Sequence, residues 1–122
     1  MGELCVGVGA GSRVRAAEII AAVREVCGDA PVSVLATLDR KASLPAFVDA
    51  AQILGAALVG YTPAQLAEVP VPNPADGVAD AVGTPSVAEA AAILAAGGGA
   101  LVVTKVVTNG VTIAVARTVA GV

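Results

Sequence analysis

The sequence predicts an α/β domain of three layers (α/β/α), built on a mostly parallel five-stranded sheet whose last strand is antiparallel and follows a C-terminal hairpin. Short apolar runs that end in glycine or a polar turn alternate with segments whose apolar residues have helical spacing. Asn109-Gly110 separates the last two apolar runs, and Asn-Gly is the strongest short signal for a hairpin. The 122 residues contain no repeat and no long linker, so we expect one domain over residues 1–122.

The first half of the chain is predicted to fold as strand, helix, strand, helix, strand and one helical turn. Ser12 is the expected cap of the first helix, and Gly28 with Pro31 ends it. Pro45 opens the second helix, which Gly55 ends. The predicted strands cover residues 4–9, 32–38 and 56–61, the second helix 45–54 and the helical turn 62–66.

The second half begins with a proline-rich segment and ends with a helix and two strands. Prolines at 70, 72 and 74 exclude regular structure there, and a short helix is expected over 76–82. Ser86 and Glu89 have the spacing of a capping box, which predicts the start of a helix that runs to Ala96. The final strands are predicted over 101–107 and 111–117.

Composition and charge exclude several classes of protein. Although the mean hydropathy is +0.85, the best apolar stretch, 88–103, contains Glu89 and three glycines, so it does not give the ~20 apolar residues of a membrane span. No basic leader precedes the first strand, so we expect a cytoplasmic protein with no membrane partner. The net charge of −3 and the lack of a large basic patch argue against nucleic acid as a partner.

The same composition limits the chemistry. The chain has no histidine and only two cysteines, which leaves no metal-ligand cluster, no Ser/His/Asp or Cys/His arrangement and no disulfide framework. We therefore expect no metal and no cofactor, and both cysteines to act as small hydrophobic residues. Aromatic residues make up only 2% of the chain, so each core side chain stabilises little, and a homo-oligomer interface is one expected source of further stability.

Basic residues follow three of the predicted strands. Five of the seven are in these positions: Arg13, Arg15, Arg40, Lys41 and Lys105. If the three strands are parallel neighbours, these side chains converge on the carboxyl edge of one sheet, where open α/β folds bind ligands. This pattern predicts a site for a multiply anionic ligand.

Glycines and hydroxyls could form anion cradles at this edge. Gly9, Gly11 and Ser12 lie in a Gly-rich turn before a predicted helix, where unpaired N–H groups favour an anion such as a carboxylate. The same turn could be tight and empty, and its glycine spacing departs from the dinucleotide fingerprint by one position. Thr84 and Ser86 offer a second cradle, with plain helix capping as the alternative.

Asp39 and Lys105 are the candidate catalytic pair. Asp39 ends a predicted central strand beside two cations, which should keep it ionised and suit it to position water. Lys105 follows a hydrophobic run and could stabilise developing oxyanion charge. The alternative is that residues 39–41 form only a polar loop.

Four segments together resemble a known family. One of them is Gly83-Thr84-Pro85-Ser86 with the residues around it, downstream of Pro72-Asn73-Pro74. The other matching segments are 6–9 with Ser12, 35–41 with Thr37, and 105–117. In this order they resemble CobE and the C-terminal domain of CbiG, proteins of cobalamin (vitamin B12) biosynthesis.

The resemblance implies a cytosolic α/β domain that handles corrin-ring precursors. CbiG-type proteins are credited with opening the lactone of cobalt-precorrin-5A and releasing acetaldehyde, and by its resemblance to CobE we expect this chain to be the shorter, stand-alone form. A precorrin carries a rim of acetate and propionate groups, which suits Arg13, Arg15, Lys41 and Lys105, with Thr37 in the matching segment. Three functions stay open: a precorrin-binding protein that acts as a hydrolase, a non-catalytic carrier that serves partner enzymes of the pathway, and a nucleotide-binding regulatory domain.

Overall fold

The structure, a computed structural model, describes residues 3–11, 13–69 and 87–118. These residues form a five-stranded sheet with helices on both faces, which confirms the predicted three-layer α/β/α class. The proline-rich segment, the predicted helix over 76–82 and the predicted caps Ser12 and Ser86 lie outside the described residues. The elements are β1 (Leu4–Gly9), α1 (Ala16–Cys27), β2 (Val32–Leu38), α2 (Asp39–Ala42), α3 (Pro45–Leu54), β3 (Ala57–Tyr61), α4 (Pro63–Ala67), α5 (Val87–Ala95), β4 (Leu101–Thr108) and β5 (Val111–Arg117).

The strands lie in the order β3-β2-β1-β5-β4. β1, β2 and β3 are parallel, whereas β5 is antiparallel to both β1 and β4. β4 therefore runs in the same direction as β1 but is separated from it by β5. We call the edge at which β1, β2 and β3 end the carboxyl edge, and the opposite one the amino edge.

Most predicted boundaries agree with the structure to within a residue or two. The exceptions are α1, which begins only at Ala16, and α2, which was predicted as a polar loop. Asn109 and Gly110 have φ angles of 55° and 74°, the left-handed conformation that a tight two-residue hairpin turn needs, so the predicted hairpin is confirmed.

The sheet buries large side chains on one face. We call this the α1 face, because α1 and α3 cover it. Val6 and Val8 of β1, Leu35 of β2 and Ile113 of β5 pack there against Phe47 of α3. Since side chains alternate along a strand, branched residues at every second position account for this thicker half of the core.

The opposite face, the α5 face, is lined by small residues and covered by α4 and α5. Cys5, Ala114 and Ala116 of the sheet meet Ala88 and Ala92 of α5. The helix axis can come close because Gly7 of β1 has no side chain: a Cβ there would lie 1.8 Å from the carbonyl oxygen of Ala88. α5 is therefore packed on the backbone of β1.

The two ends of the described chain meet at the amino edge. Leu4 of β1 pairs with Arg117 of β5. The N–H of Glu3 donates to Oγ1 of Thr118 (2.6 Å), and the N–H of Thr118 donates back to the carbonyl oxygen of Glu3 (2.9 Å). These bonds continue the β1–β5 ladder by one residue on each strand.

Replacement of Gly7 by alanine should strongly destabilise the fold. The added Cβ would clash with backbone atoms of Ala88 and Ala92, which cannot rotate away, so we expect a loss of about 3 kcal/mol or more in the free energy of unfolding, measured in urea. Gly11→Ala is the matched control, because no atom lies within 4 Å of the Cβ position there. Equal stability of the two variants would contradict this account of the packing of α5.

Stability should fall in alkaline solution. Burial raises the pKa of Cys5, with a further contribution from Glu3, and burial also raises the pKa of Cys27 and Tyr61. The folded state then holds these protons more tightly than the unfolded state, so their stabilisation is full below the ordinary values of 9.0 and 10.0 and is lost as the pH rises beyond them. Urea unfolding from about pH 8 to about pH 10.5 should show this decline. A smaller decline is expected when both cysteines are replaced by alanine, and an unchanged decline would contradict the assignment.

Candidate functional site

The loop between β1 and α1 carries two of the predicted ligand-binding arginines. Arg13 and Arg15 are exposed, and the N–H of Val14 donates to the carbonyl oxygen of Gly11 (3.2 Å), which makes a turn of this stretch. Arg15 is the extended residue that precedes α1, so neither arginine lies within the helix, contrary to the expectation of a helix beginning after Ser12. Glu18 accepts the N–H of Arg15 through Oε1 (2.8 Å), so one of the N–H groups at this helix start already has a carboxylate partner.

α2 holds the second basic group. Asp39 and Arg40 are exposed, Lys41 is half-buried, and Oδ1 of Asp39 accepts the N–H of Arg40 (2.7 Å). The short helix lies directly on β3 because Gly60 leaves room: a Cβ there would be 2.8 Å from the Cα of Asp39. Asp39 is therefore held at the end of β2 by backbone packing, with its carboxylate open to solvent.

Thr37 has a different environment from the other predicted contacts. Its side chain is fully buried, and its hydroxyl donates to the carbonyl oxygen of Val8 (2.7 Å). This bond joins β2 to β1 beneath the carboxyl edge. In this position Thr37 ties together the strands from which the basic loops emerge.

Lys105 is not at the end of a strand next to β1. The expectation that it converges with the other basic residues assumed three neighbouring parallel strands, and this assumption is wrong because β5 lies between β1 and β4. Lys105 is exposed within β4, at an irregularity in the pairing between Val103↔Val115 and Val106↔Ile113. Thr104 and Lys105 both lie across from Ala114 alone, which is a β-bulge.

Glu89 is a buried carboxylate whose partner the sequence did not reveal. It lies in the first turn of α5 and is fully buried, and its Oε2 accepts the backbone N–H of Lys105 (2.9 Å). Its spacing from Ser86 predicted a capping box, and nothing in that local spacing indicates a partner on β4. The one available signal was a carboxylate within an alanine-rich helix, where burial demands a partner.

The start of α5 lies beside Gly9 at the carboxyl edge. A Cβ on Gly9 would be 3.9 Å from Cβ of Val87 and 3.6 Å from Cβ of Thr112. Gly9, the first residue of α5 and β5 are therefore close neighbours. Thr84 and Ser86, the predicted second cradle, precede α5 in the sequence and lie outside the described residues, as Ser12 does.

A depression in the surface of the described residues lies at the other end of the sheet. It has a volume of about 360 Å³ and is lined at the amino edge by residues such as Arg24, Asp29 and Ile53. None of the predicted site residues lines it. The distinguishing property of the described part of the carboxyl edge is charge: the β1–α1 loop and α2 carry four basic residues, while Asp39 is the one acid among residues 9–15 and 39–42.

In residues 3–11, 13–69 and 87–118, no three acidic, cysteine or histidine side chains are grouped so that they could hold a metal ion. Among the described helices, none combines the length and the apolar character required to span a bilayer.

The fold and the basic carboxyl edge together define a small α/β domain with a basic surface at the ends of its parallel strands. A family model described as "Cobalamin synthesis G C-terminus" matches residues 4–116. The chain therefore belongs to this family of cobalamin biosynthesis proteins, which confirms the resemblance drawn from the sequence.

Solved structures give the same picture. The crystal structure of CobE, a protein from the cobalamin (vitamin B12) biosynthetic pathway, superimposes with a TM-score of 0.82 at 28% identity, over 97% of this chain and 92% of that one. Cobalamin biosynthesis protein chiG from Agrobacterium tumefaciens str. C58 has a TM-score of 0.73 at 36% identity, over 94% and 98%. A putative cobalamin biosynthesis protein G homolog from Sulfolobus solfataricus shares the fold at 18% identity, with a TM-score of 0.72, over 98% of this chain and 38% of that one. None of the curated proteins matches the chain.

Thr37→Val should lower stability and leave ligand binding at the carboxyl edge unchanged. The variant keeps the shape of the side chain but removes the hydroxyl bond to Val8, which should cost about 1–2 kcal/mol in the free energy of unfolding. Thr104→Val, the same change at an exposed position of β4, should stay within about 0.5 kcal/mol of the parent. A Thr37→Val protein of full stability that loses affinity for its ligand would instead make Thr37 a direct contact.

Proposed function

We propose that this protein binds a polycarboxylate corrin-ring precursor of cobalamin biosynthesis at its carboxyl edge, in the cytoplasm. The observation that carries the proposal is the basic surface formed by the exposed Arg13 and Arg15 of the β1–α1 loop together with the exposed Arg40 and the half-buried Lys41 of α2. Membership of the cobalamin synthesis family supplies the class of ligand. A precorrin has carboxylates around a flat macrocycle, so it calls for several cations spread over an open surface.

The contacts can be assigned residue by residue. Arg13, Arg15 and Lys41 would pair with carboxylates of the rim, since guanidinium and ammonium groups form strong charge-assisted hydrogen bonds to them. Gly9 and Gly11 would let the macrocycle approach the backbone of the loop. Ser12, Thr84 and Ser86 are proposed as further contacts from their positions in the sequence, next to the described loop and helix.

The spacing of the strands favours binding over catalysis by the predicted pair. Asp39 follows β2 and Lys105 lies on β4, three strands away. At about 4.8 Å per strand the separation is about 14 Å, too far for both groups to act on one lactone bond. Lys105 is better suited to hold a distant carboxylate of the ligand. A carrier that passes labile intermediates to partner enzymes of the pathway is therefore the proposed role, and lactone hydrolysis is the alternative.

An anaerobic titration tests binding and catalysis together. Purified protein is titrated with precorrin intermediates and with cobalt-precorrin-5A, the corrinoid absorption spectrum is followed at low and high salt, and acetaldehyde is assayed in the same samples. A salt-sensitive spectral shift without acetaldehyde is the expected result. Acetaldehyde release would establish the lactone-opening activity, and no shift with any intermediate would contradict the proposal.

Arg15→Ala and Arg13→Ala should each weaken binding in that titration by about three- to tenfold at low salt, because each removes one ion pair with the ligand. Raising the salt concentration should reduce the difference between variant and parent. The matched control is Arg24→Ala, which removes the same charge from an exposed position of α1 near the amino edge. Equal weakening by all three variants would mean a general effect of net charge and would contradict a site at the carboxyl edge.

A further inference from the structure

The β-bulge in β4 decides which face of the sheet carries Lys105. Val103 and Val106 pair with Val115 and Ile113, two residues of the α1 face, so both valines belong to that face. In a regular strand, residues two apart share a face, and Lys105 would then follow Val103 onto the α1 face. The extra residue in the bulge places Lys105, the residue before Val106, on the α5 face instead.

A bulge leaves a backbone N–H without its regular ladder partner, and here Glu89 supplies the acceptor. Oε2 of Glu89 lies 2.9 Å from the N atom of Lys105, and the glutamate is fully buried in the first turn of α5. A buried carboxylate is costly unless it is hydrogen-bonded, so both groups gain from this arrangement. α5 in turn is packed on β1 at Gly7, which makes the acceptor a rigid one.

We propose that Glu89 is a positioning residue for ligand binding: by fixing the bulge, it holds the Lys105 side chain on the α5 side of the sheet, next to the start of α5. The proposal deepens the proposed function and rests on it for the role of the ligand. Glu89 acts through the backbone of Lys105 and makes no contact with the ligand itself. Lys105 then provides the carboxylate contact furthest from Arg13 and Arg15.

A double-mutant cycle separates positioning from a general structural role. With cobalt-precorrin-5A as the probe, Lys105→Ala should weaken binding about tenfold, the loss of one charge-assisted contact. Glu89→Ala should weaken binding by a similar factor, and the double variant should be no weaker than Lys105→Ala alone. Additive losses would overturn the proposal, since Glu89 would then act independently of Lys105.

Glu89→Gln distinguishes hydrogen bonding from charge and guards against loss of folding. The glutamine side chain keeps an oxygen acceptor for the N–H of Lys105, so this variant should bind the probe within about twofold of the parent. If Glu89 acted only by repelling an anionic ligand, both Glu89→Gln and Glu89→Ala would bind more tightly than the parent. That increase would also overturn the proposal.

A second measurement needs no ligand and therefore keeps the inference separate from the proposed function. Amide hydrogen exchange at Lys105 should be slow in the parent and in Glu89→Gln. In Glu89→Ala it should be at least tenfold faster, whereas exchange in β1 and β2 stays slow. Slow exchange at Lys105 in Glu89→Ala would overturn the role of Glu89 in fixing the bulge. If these exchange results hold but no corrinoid binds the parent, the proposed function fails and the positioning of Lys105 stands.

Discussion

The close packing of α5 on β1 is the constraint on which the rest of this structure depends. Gly7 removes the side chain that would otherwise separate the helix from the strand, and the carbonyl oxygen of Ala88 occupies the place of the missing Cβ. Once α5 is pressed onto the backbone of β1, its first residue lies beside Gly9. Glu89, one turn into the same helix, then reaches across β5 to the bulge in β4. Through the position of α5, Gly7 on the central strand β1 therefore affects the contact with the edge strand β4.

The two faces of the sheet contribute to the fold in different ways. On the α1 face, branched residues and Phe47 supply most of the buried apolar area, and burial of that area stabilises the fold. Alanines on the α5 face supply less area but bring backbones close together, which fixes the positions of helix starts and strand ends.

Much of the fold could be predicted from the sequence because local signals and packing agree. Pro45 and Gly55 mark the ends of α3, and Asn109-Gly110 marks the hairpin. α2 could not be predicted, since its four residues are too few to show a helical period. The start of α1 depends on the turn made by Gly11 and Val14.

The candidate site could be predicted only in part. The basic residues after β1 and β2 lie where those strands end, with Arg13, Arg15 and Arg40 exposed and Lys41 half-buried. The position of Lys105 in the sheet depends on whether β4 or β5 is the neighbour of β1. The hairpin sequence does not specify which of the two strands pairs with β1. The roles of Thr37 and Glu89 depend on hydrogen bonds to residues 29 and 16 positions away in the chain. Contacts between residues so far apart in the chain form only in the folded structure, so no local sequence pattern predicts them.

Hydrogen bonds between Glu3 and Thr118 hold the two ends of the described chain together at the amino edge. Both ends of the described chain leave the domain on the side opposite the basic loops. A polypeptide fused at either end would therefore begin away from the carboxyl edge and leave it open. This geometry would leave the carboxyl edge accessible when the domain forms part of a longer polypeptide. Closely spaced ends also make the domain a good candidate for circular permutation.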